Sequence, residues 1–366
     1  MPPAAPVVFP PEWTRQAAVM LTWPHDDTAW ARWMHRIEPA FDRLALALSR
    51  RARVLVVAHD AGHAGALRER LQRVGLPASR LLLGIAPSDD VWVRDHGPVT
   101  VMRDGRATLL DFRFNAWGGK YPWDRDARVC QRLHRQGCFG DTPMERIPLV
   151  VEGGALESDG AGTLLARESS LVSPGRNPGL DRAAMERRLA ALLGIRRFLW
   201  LQHGYLEGDD TDGHIDTLAR FAGPDTIVYQ AAGGTTDPES RALRAMAAEL
   251  AAMRTGDGRP YRLIPLPRPA RLEAPDGAVL PDGYANFLIC NGAVLVPAYG
   301  DAADRTAAER LQQAFPGYRM IPVDCRDLVL EHGSLHCATM QLPAGVDLPG
   351  ASANPGDGAS RRRQED

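Results

Sequence analysis

Residues 331–343, Glu-His-Gly-Ser-Leu-His-Cys-Ala-Thr-Met-Gln-Leu-Pro, place Cys337 at the edge of an apolar strand, just after a Gly-Ser loop. A lone cysteine is most often a small buried hydrophobe. The strand predicted over residues 337–342 has no second strand after it with which to form a hairpin. The apolar strand predicted over residues 18–23 can supply that partner, and this pairing would join the two ends of the chain.

Between these ends the chain repeats a rhythm of strand, turn, strand, helix and strand. Sequence identity between the units is slight, so the repeat is inferred from rhythm. The units begin at intervals of about 50–70 residues, near Asp95, Glu152, His214, Asn286 and Cys337. The sequence therefore predicts an α/β fold of five units closed into a ring, with the equivalent strand starts converging on its axis as in a propeller.

Local signals support these elements. Asp-Gly at 104–105 and Asn-Gly at 291–292 lie between apolar runs, and they predict tight hairpins because type I′ turns need positive φ. Asp181 and Asp237 each precede a helical pattern and are predicted N-caps, and Gly194 is a predicted helix stop.

The composition is that of an ordinary globular protein. Of 366 residues, 45% are hydrophobic and 24% are charged, and the formal net charge is −2. This charge argues against nucleic acid as a partner, and no apolar run approaches membrane-spanning length. We predict one catalytic domain over residues 1–347 and a disordered tail, rich in Gly, Ala, Ser and Pro, over residues 348–366.

The cysteines indicate a reducing compartment. There are five, an odd number, with no C-x-x-C pair and no secretory signal before them. We therefore expect a cytoplasmic protein with at least one free thiol. The oligomeric state stays open, a homo-oligomer included.

Two carboxylates stand before predicted strands. Asp95, in Trp-Val-Arg-Asp-His-Gly-Pro, could contribute to a functional site, or it could simply be a loop aspartate that caps backbone amides. Glu152 has the same alternative, but the two glycines that follow it, at 153–154, suggest that another group closely approaches the backbone.

Residues 209–216, Asp-Asp-Thr-Asp-Gly-His-Ile-Asp, are unusually acidic. On a strand, His214 and Asp216 would face the same side. The alternatives are a solvated loop or a cation site. However, the EF-hand pattern is absent, and a zinc site built from Cys337, His214 and a carboxylate lacks paired-ligand spacing. We predict no metal.

A nucleophilic cysteine explains the combination of Cys337, His214 and the nearby carboxylates better than a metal site does. A thiol attacks as the thiolate, whose ordinary pKa is about 8.5, and His214 could carry protons. Several carboxylates beside Cys337 would disfavour the thiolate in an empty pocket. Such a pocket is useful only if the substrate brings positive charge, and a guanidinium group fits because two carboxylates can each accept paired hydrogen bonds from it.

The chain resembles the agmatine deiminases, members of a guanidino-modifying superfamily that includes bacterial peptidylarginine deiminases. The resemblance spans about residues 11–343 and rests on several ordered motifs. These are Pro-Glu-Trp at 11–13, Leu-Thr-Trp-Pro-His at 21–25, Trp-Val-Arg-Asp-His-Gly-Pro at 92–98, Phe-Asn-Ala-Trp-Gly-Gly-Lys-Tyr at 114–121, Glu-Gly-Gly at 152–154, Thr-Asp-Gly-His-Ile-Asp at 211–216, Asn-Phe-Leu-Ile-Cys-Asn-Gly at 286–292 and His-Cys at 336–337.

The resemblance implies a five-fold pseudosymmetric α/β propeller and a role for each matching residue. Cys337 would be the nucleophile and His214 the general acid and base. Asp95 and Asp216 would hold the guanidinium, with Glu152 beside it. No cofactor or metal is implied, and the partner would be a small cationic guanidino substrate.

The implied reaction is hydrolysis of agmatine to N-carbamoylputrescine and ammonia. Trp92 and Trp117 are candidates to meet the distal ammonium by cation–π contact, and they serve equally well as core aromatics. The rival interpretations are a deiminase of peptidylarginine or another arginine derivative, an amidinotransferase, and an inactive binding protein. The loop at 331–337 lacks the family's triple glycine, and His96 stands where the family usually has threonine. Both changes alter the pocket walls and leave the catalytic groups in place.

Overall fold

The structure is a computed structural model that describes residues 6–234 and 236–350. The predicted tail lies outside the described residues from residue 351 onward, and its disorder stays a prediction. Within its first residues, the carbonyl oxygen of Pro349 accepts a hydrogen bond of 2.7 Å from Arg53 Nη1.

The described residues form short strands, α-helices and single 3-10 turns. The strands are β1 (Val7–Val8), β2 (Gln16–Thr22), β3 (Arg53–Ala58), β4 (Leu81–Ile85), β5 (Val99–Arg103), β6 (Arg106–Arg113), β7 (Met144–Val150), β8 (Glu157–Ser158), β9 (Thr163–Arg167), β10 (Arg197–Leu201), β11 (Ala219–Phe221), β12 (Thr226–Gln230), β13 (Arg262–Leu266), β14 (Leu288–Cys290), β15 (Ala293–Ala298), β16 (Arg319–Asp324) and β17 (Met340–Pro343). The α-helices are α1 (Met34–Ser49), α2 (Ala61–Arg73), α3 (Val93–His96), α4 (Ala116–Gly119), α5 (Val129–Arg135), α6 (Glu168–Leu171), α7 (Arg182–Leu193), α8 (Pro238–Ala252) and α9 (Ala303–Ala314). The 3-10 turns are Ala29–Trp33, Ala78–Arg80, Asp126–Arg128, Gly153–Ala155, Ile215–Thr217 and Val329–Glu331.

The strands form five small sheets in a mixed α/β fold. Their strand orders are β1-β5-β6-β7, β10-β9-β8, β11-β12-β13, β14-β15-β16 and β17-β2-β3-β4. Each sheet contains an antiparallel pair and then a strand that runs parallel to the second of that pair. The parallel strand follows a helix, as a parallel crossover requires. The predicted unit of strand, turn, strand, helix and strand is therefore confirmed.

The two ends of the chain meet in one sheet, as the sequence predicts. Strand β17 pairs antiparallel with β2, with Met340 opposite Met20 and Leu342 opposite Ala18. All four side chains are buried. The pairing completes the hairpin that the last unit lacks, so it links the segment carrying Cys337 to the N-terminal strand.

The predicted turns and caps are also confirmed. Asp104 and Asn291 have positive φ (50° and 42°), as do the glycines that follow them. Asp181 accepts a hydrogen bond from the amide of Ala184, and Gly194 ends that helix in the left-handed region. Asp237 caps α8, with a proline at its first position.

The strand predicted over residues 337–342 begins later than expected, at Met340, and three site residues lie in turns ahead of their strands. Asp95 lies in the one-turn helix α3, Asp216 lies in a 3-10 turn, and Cys337 lies in a turn before β17. In each case a local bond satisfies the backbone before the sheet begins, such as Gly97 N–H to Val93 C=O (2.8 Å) and Thr339 N–H to His336 C=O (3.0 Å). The 3-10 turn at Ile215–Thr217 means that the same-side rule for a strand does not apply to His214 and Asp216. The short strands β1 and β4, which add edges to two sheets, were not predicted.

Helices pack their apolar faces on the sheets. Met185, Leu189 and Leu193 of α7 are fully buried in a cluster with residues of β9, β10 and the preceding sheet. Across residues 6–234 and 236–350, no helix combines the length and hydrophobicity needed to cross a bilayer.

The Asn291 side chain joins two neighbouring sheets. Its Oδ1 accepts from the Gln16 amide (2.9 Å), and its Nδ2 donates to the carbonyl oxygens of Gln16 (2.9 Å) and Arg51 (3.1 Å). Asn291→Gly keeps the positive φ but removes all three bonds. We expect it to lower the free energy of unfolding by about 1–3 kcal/mol, measured by urea denaturation.

A matched control is Asp104→Gly, which changes another positive-φ turn residue whose side chain makes no hydrogen bond within the described residues. We expect it to change the free energy of unfolding by less than the Asn291 variant does. Equal effects of the two substitutions would show that the turn conformation, and not the link between sheets, is what matters.

Candidate active site

Cys337 lies in a buried turn held by Asn286. The Oδ1 of Asn286 accepts hydrogen bonds from the amides of His336 (2.8 Å) and Cys337 (3.3 Å), and its Nδ2 lies 3.2 Å from Cys337 Sγ. On the other side, the Cys337 carbonyl oxygen accepts from the Arg94 amide at 3.1 Å. The sulfur therefore has a defined position with an amide donor beside it.

The surroundings of Cys337 favour the neutral thiol. Burial raises its pKa well above the ordinary value, and the carboxylates of Asp216 and Asp95 raise it further. Asp216 Oδ2 is 3.9 Å from the sulfur. These surroundings are thus electrostatically unfavourable for a thiolate, as predicted from the sequence.

His214 lies fully buried between two carboxylates. Its Nδ1 is 3.6 Å from Asp95 Oδ1, and its Nε2 is 3.7 Å from Glu152 Oε2. Both distances exceed a hydrogen bond, so both ring nitrogens lack a direct partner. Burial by itself would lower the pKa of His214, but Asp95, Glu152 and Asp216 outweigh it and raise the pKa to about 9.

Asp95 is held by a backbone amide and by an indole. Gly154 N–H donates to Oδ1 and Trp117 Nε1–H donates to Oδ2, both at 3.0 Å. Burial raises the pKa of Asp95 to about 6; His214 and the Trp117 bond oppose the rise, whereas Asp216 and Glu152 add to it. The carboxylate therefore ionises close to neutral pH.

Trp117 reaches Asp95 from an unusual stretch of backbone. Ala116, Trp117, Gly118 and Gly119 all have positive φ (47°, 56°, 96° and 84°). Two of these residues carry a side chain, and such conformations persist only where the surroundings enforce them.

Glu152 is fully buried and paired with Arg176. The Arg176 Nε donates to both carboxylate oxygens at 2.9 Å, and its Nη1 is 2.6 Å from Asp212 Oδ2. Burial would raise the pKa of Glu152, but His214 and Arg176 lower it overall. Glu152 thus remains a carboxylate beside His214.

Asp216 completes the group from the other side. Its Oδ2 accepts from His336 Nδ1 at 2.7 Å, whereas its Oδ1 is buried with no hydrogen-bond partner. Burial would raise the pKa of Asp216, but His336 and His214 lower it overall. One ionised carboxylate oxygen is therefore free to accept a hydrogen bond.

Gly154 shows how closely these groups converge. A Cβ built on Gly154 would lie 2.6 Å from His214 Nδ1, 2.9 Å from Asp95 Oδ1 and 3.1 Å from Asp216 Oδ2. A Cβ on Gly153 would lie 2.3 Å from the Arg94 carbonyl oxygen. The close approach to the backbone inferred from these two glycines is confirmed.

The two tryptophans differ in their surroundings. The indole N–H of Trp117 donates a hydrogen bond to Asp95, so this ring directly borders the carboxylate cluster. Trp92 packs edge-on against Trp30, with ring centroids 5.8 Å apart, and lies against Gly333, where a Cβ would come within 2.5 Å of its ring. Trp92 thus supports the loop that carries Cys337.

The structure brings together Cys337, His214, Glu152, Asp95 and Asp216, which the sequence singled out as site residues. It adds Asn286, Arg176, His336 and Glu12, for which no role was predicted from the sequence. Asn286, His336 and Glu12 lie within the quoted motifs, so a signal existed for them. Arg176 carried none, because arginines are common in this chain.

Metal-compatible spacing occurs elsewhere. Among the described residues, His25, Asp27 and His59 have ligand atoms within 4.8 Å of one another. Cys337 and His214 belong to no such group, so the zinc alternative gains no support.

Comparison with known proteins identifies the family. The profile of the family described as Porphyromonas-type peptidyl-arginine deiminase matches residues 8–343. The chain belongs to this family. The putative agmatine deiminase of Shewanella baltica strain OS155 is 33% identical over 359 residues, covering 92% of this chain and 94% of the relative.

Solved structures agree with this assignment. The putative arginine deiminase from Porphyromonas gingivalis is 46% identical, with a TM-score of 0.86, covering 93% of this chain and 99% of that one. An agmatine deiminase of C. jejuni, solved with substrate bound, is 29% identical, with a TM-score of 0.85, covering 94% and 97%. The resemblance stated from the motifs is confirmed across the folded chain.

The geometry predicts a histidine that stays charged to alkaline pH. In NMR titrations of labelled histidine, we expect His214 to lose its proton near pH 9, because three carboxylates stabilise the cation. Glu152→Gln and Asp95→Asn each remove one of these charges. Each should lower this pKa by about one unit or more.

The control is Glu249→Gln, which removes a carboxylate 2.6 Å from the exposed His203. It should leave the His214 titration unchanged. A His214 pKa near 6.5 in the unaltered protein would contradict the proposed electrostatics.

Proposed function

We propose that this protein hydrolyses a guanidinium group to a ureido group and ammonia through Cys337, with agmatine as substrate and N-carbamoylputrescine as product. The observation that carries the proposal is a buried cluster in which His214, Asp95 and Asp216 converge on Gly154, with Glu152 3.7 Å from His214 and the Cys337 thiol 3.9 Å from Asp216. The family assignment and the relatives named agmatine deiminase support it.

The charge of the site suits a planar cation. Asp95 and Asp216 stand near His214 and Cys337, and Asp216 Oδ1 has no hydrogen-bond partner. A guanidinium between the two carboxylates supplies N–H donors and offsets the negative charge that opposes the thiolate. In this proposal the substrate activates its own nucleophile.

The arrangement of the units belongs to the same proposal. Five sheets built on one pattern, with the first and last strands paired, support five units placed around a common axis. The turns that carry Asp95, Glu152, His214 and Cys337 would then meet at that axis, as the propeller prediction holds.

In the first half of the reaction, the Cys337 thiol loses its proton to solvent when the cation binds. The thiolate attacks the guanidinium carbon to give a neutral tetrahedral adduct. The His214 imidazolium then protonates one nitrogen, the C–N bond breaks, and ammonia leaves. A cationic amidino-thioether on Cys337 and a neutral His214 remain.

In the second half, neutral His214 takes a proton from water, and the hydroxide adds to the amidino carbon. The C–S bond breaks, its electrons return to sulfur, and the protonated urea product loses a proton to solvent. Glu152, fixed by Arg176, keeps His214 oriented and charged between turnovers. Trp117, beside Asp95, is the better placed of the two tryptophans to meet the rest of the substrate.

The family's description and the Porphyromonas gingivalis structure favour a second candidate, deimination of peptidylarginine or free arginine. The chemistry at Cys337 would be the same. The two candidates differ in what binds the substrate beyond its guanidinium group.

A substrate panel separates these candidates. We expect ammonia and a ureido product from agmatine, little from free arginine or an arginyl peptide, and none from Cys337→Ser, which lacks the nucleophile. His214→Ala should stop turnover or accumulate a covalent adduct on Cys337, detected by mass spectrometry.

Each other result of the panel has a clear meaning. Turnover of the arginyl peptide or free arginine alone would select the second candidate. A guanidino product that forms only when a second amine is added would indicate an amidinotransferase. A folded protein inactive on all three substrates would contradict hydrolysis.

The pKa values also predict how the rate depends on pH. Below about pH 6 Asp95 is protonated and cannot hold a cation, and above about pH 9 His214 lacks the proton for ammonia. We therefore expect kcat/KM for agmatine to fall on both sides of this range. Trp117→Phe removes a donor that lowers the pKa of Asp95, so the acid limb should move to higher pH.

The matched control is Tyr121→Phe, which removes a hydroxyl from the ring next to Trp117. The Tyr121 hydroxyl bonds Asp210, not Asp95, so this variant should keep the acid limb where it is. An acid limb that stays fixed in Trp117→Phe would exclude Asp95 as the group that titrates.

A further inference from the structure

His336, the residue before the proposed nucleophile, lies between two carboxylates. Its Nδ1 is 2.7 Å from Asp216 Oδ2, and its Nε2 is 2.6 Å from Glu12 Oε2. The side chain is only 3% exposed. The mechanism above uses neither His336 nor Glu12.

These contacts determine the charge on the ring. A neutral imidazole carries one N–H and one lone pair, so it could donate to only one of the two carboxylates. The other contact would then bring two lone pairs together at hydrogen-bond distance in a dry interior. The pKa values of Glu12 and Asp216 are both lowered, so both groups are ionised acceptors. Both distances are then satisfied only when both nitrogens carry protons, which makes His336 an imidazolium.

The surrounding charges fit this state. Arg220 Nη2 is 2.7 Å from Glu12 Oε2 and its Nε is 2.6 Å from Glu157 Oε2, while Arg94 Nη2 is 3.9 Å from Glu12. The charged groups facing this network are the carboxylates of Glu12, Glu157, Asp216 and Asp95 and the cations Arg94, Arg220, His214 and His336. Burial raises the pKa of Glu157 to about 7, so Glu12 and Asp216 are the firmly ionised neighbours of His336, and a protonated ring offsets part of their buried charge.

Glu12 is a rigid anchor for the ring. Its Oε1 accepts from the Ile289 amide at 2.7 Å, and its Oε2 accepts from both Arg220 and His336. Burial would raise the pKa of Glu12, but Arg220 and His336 hold it far below its usual range. An anion fixed in this way sets the orientation of the imidazolium that points at Asp216.

The consequence falls on Asp216. The His336 Nδ1–H occupies Oδ2, so the carboxylate presents its unpartnered Oδ1 as the free acceptor. A charged donor also keeps the buried carboxylate ionised, and an ionised acceptor is what a guanidinium requires.

We propose that His336 is a charged positioning residue, which links Glu12 to Asp216 and thereby sets the oxygen of Asp216 that receives the guanidinium. The inference rests on the proposed function, because it assigns a device by which the same site holds its substrate. His336 acts through Asp216 and does not itself touch the reacting carbon.

Two substitutions separate this role from a structural one. In His336→Asn, the side-chain nitrogen falls near the position of Nδ1, which keeps a donor to Asp216 and loses Glu12. In His336→Gln, the nitrogen falls near the position of Nε2, which keeps Glu12 and loses Asp216. Both replacement side chains are neutral, so the two variants differ mainly in which carboxylate, Asp216 or Glu12, keeps a hydrogen-bond donor.

We expect the KM for agmatine to rise about 10- to 100-fold in His336→Gln, with a smaller change in kcat, because an ionised acceptor is lost. Its acid limb of kcat/KM should move to higher pH, because Asp216 no longer has a donor. His336→Asn should show a smaller rise in KM. The reverse order of the two variants, or an unchanged KM in both, would overturn the proposal.

A measurement on the unaltered protein covers the case in which neither variant folds. Labelled-histidine NMR at pH 7 should show both ring N–H protons of His336, whereas a single ring N–H would overturn the proposal. If the unaltered protein releases no ammonia from any guanidino compound, the proposed function fails. If it turns over normally and His336→Gln matches it, only the role of His336 fails.

Discussion

Burial of several carboxylates around one thiol governs this structure. Asp95, Glu152 and Asp216 are each no more than 4% exposed, and each would be costly to bury without compensation. Arg176 forms an ion pair with Glu152, and His336 forms one with Asp216. His214 lies between Asp95 and Glu152. Burial and the carboxylates of Asp216 and Asp95 still favour a neutral Cys337.

Backbone geometry brings these charges together. Gly153 and Gly154 allow the chain to pass where any side chain would collide with Arg94, His214 or Asp95. Asn286 uses one amide to hold the backbone of His336 and Cys337 and to reach the sulfur. Because these contacts join different sheets, the site depends on the relative position of sheets more than on any one of them.

The pairing of β17 with β2 contributes to that position. It places the strand after Cys337 beside the N-terminal strand, while Glu12, just before β2, reaches Arg220 and His336. The N-terminal segment is therefore part of the site, although it is distant in sequence from every group that would touch the substrate.

Much of this could be predicted from local sequence. The Asp-Gly and Asn-Gly turns, the Asp181 and Asp237 caps, the strand-turn-strand-helix-strand rhythm and the pairing of the chain ends depend on residues close together or on simple counting. The five chemical groups of the site followed from motifs. The backbone conformation of these residues was harder to predict. Asp95, Asp216 and Cys337 lie in hydrogen-bonded turns that precede the strands in the sequence.

Most helices and strands and the available chemical groups follow from the sequence alone, because propensity, turn chemistry and residue type are local properties; the edge strands β1 and β4 do not. The charge and orientation of those groups arise only when the chain folds. His336 becomes a double donor because Glu12 and Asp216, 324 and 120 residues away along the chain, close on its two nitrogens. Burial and neighbouring charges set the protonation of Cys337, His214 and Asp95, and both come from parts of the chain that meet only on folding.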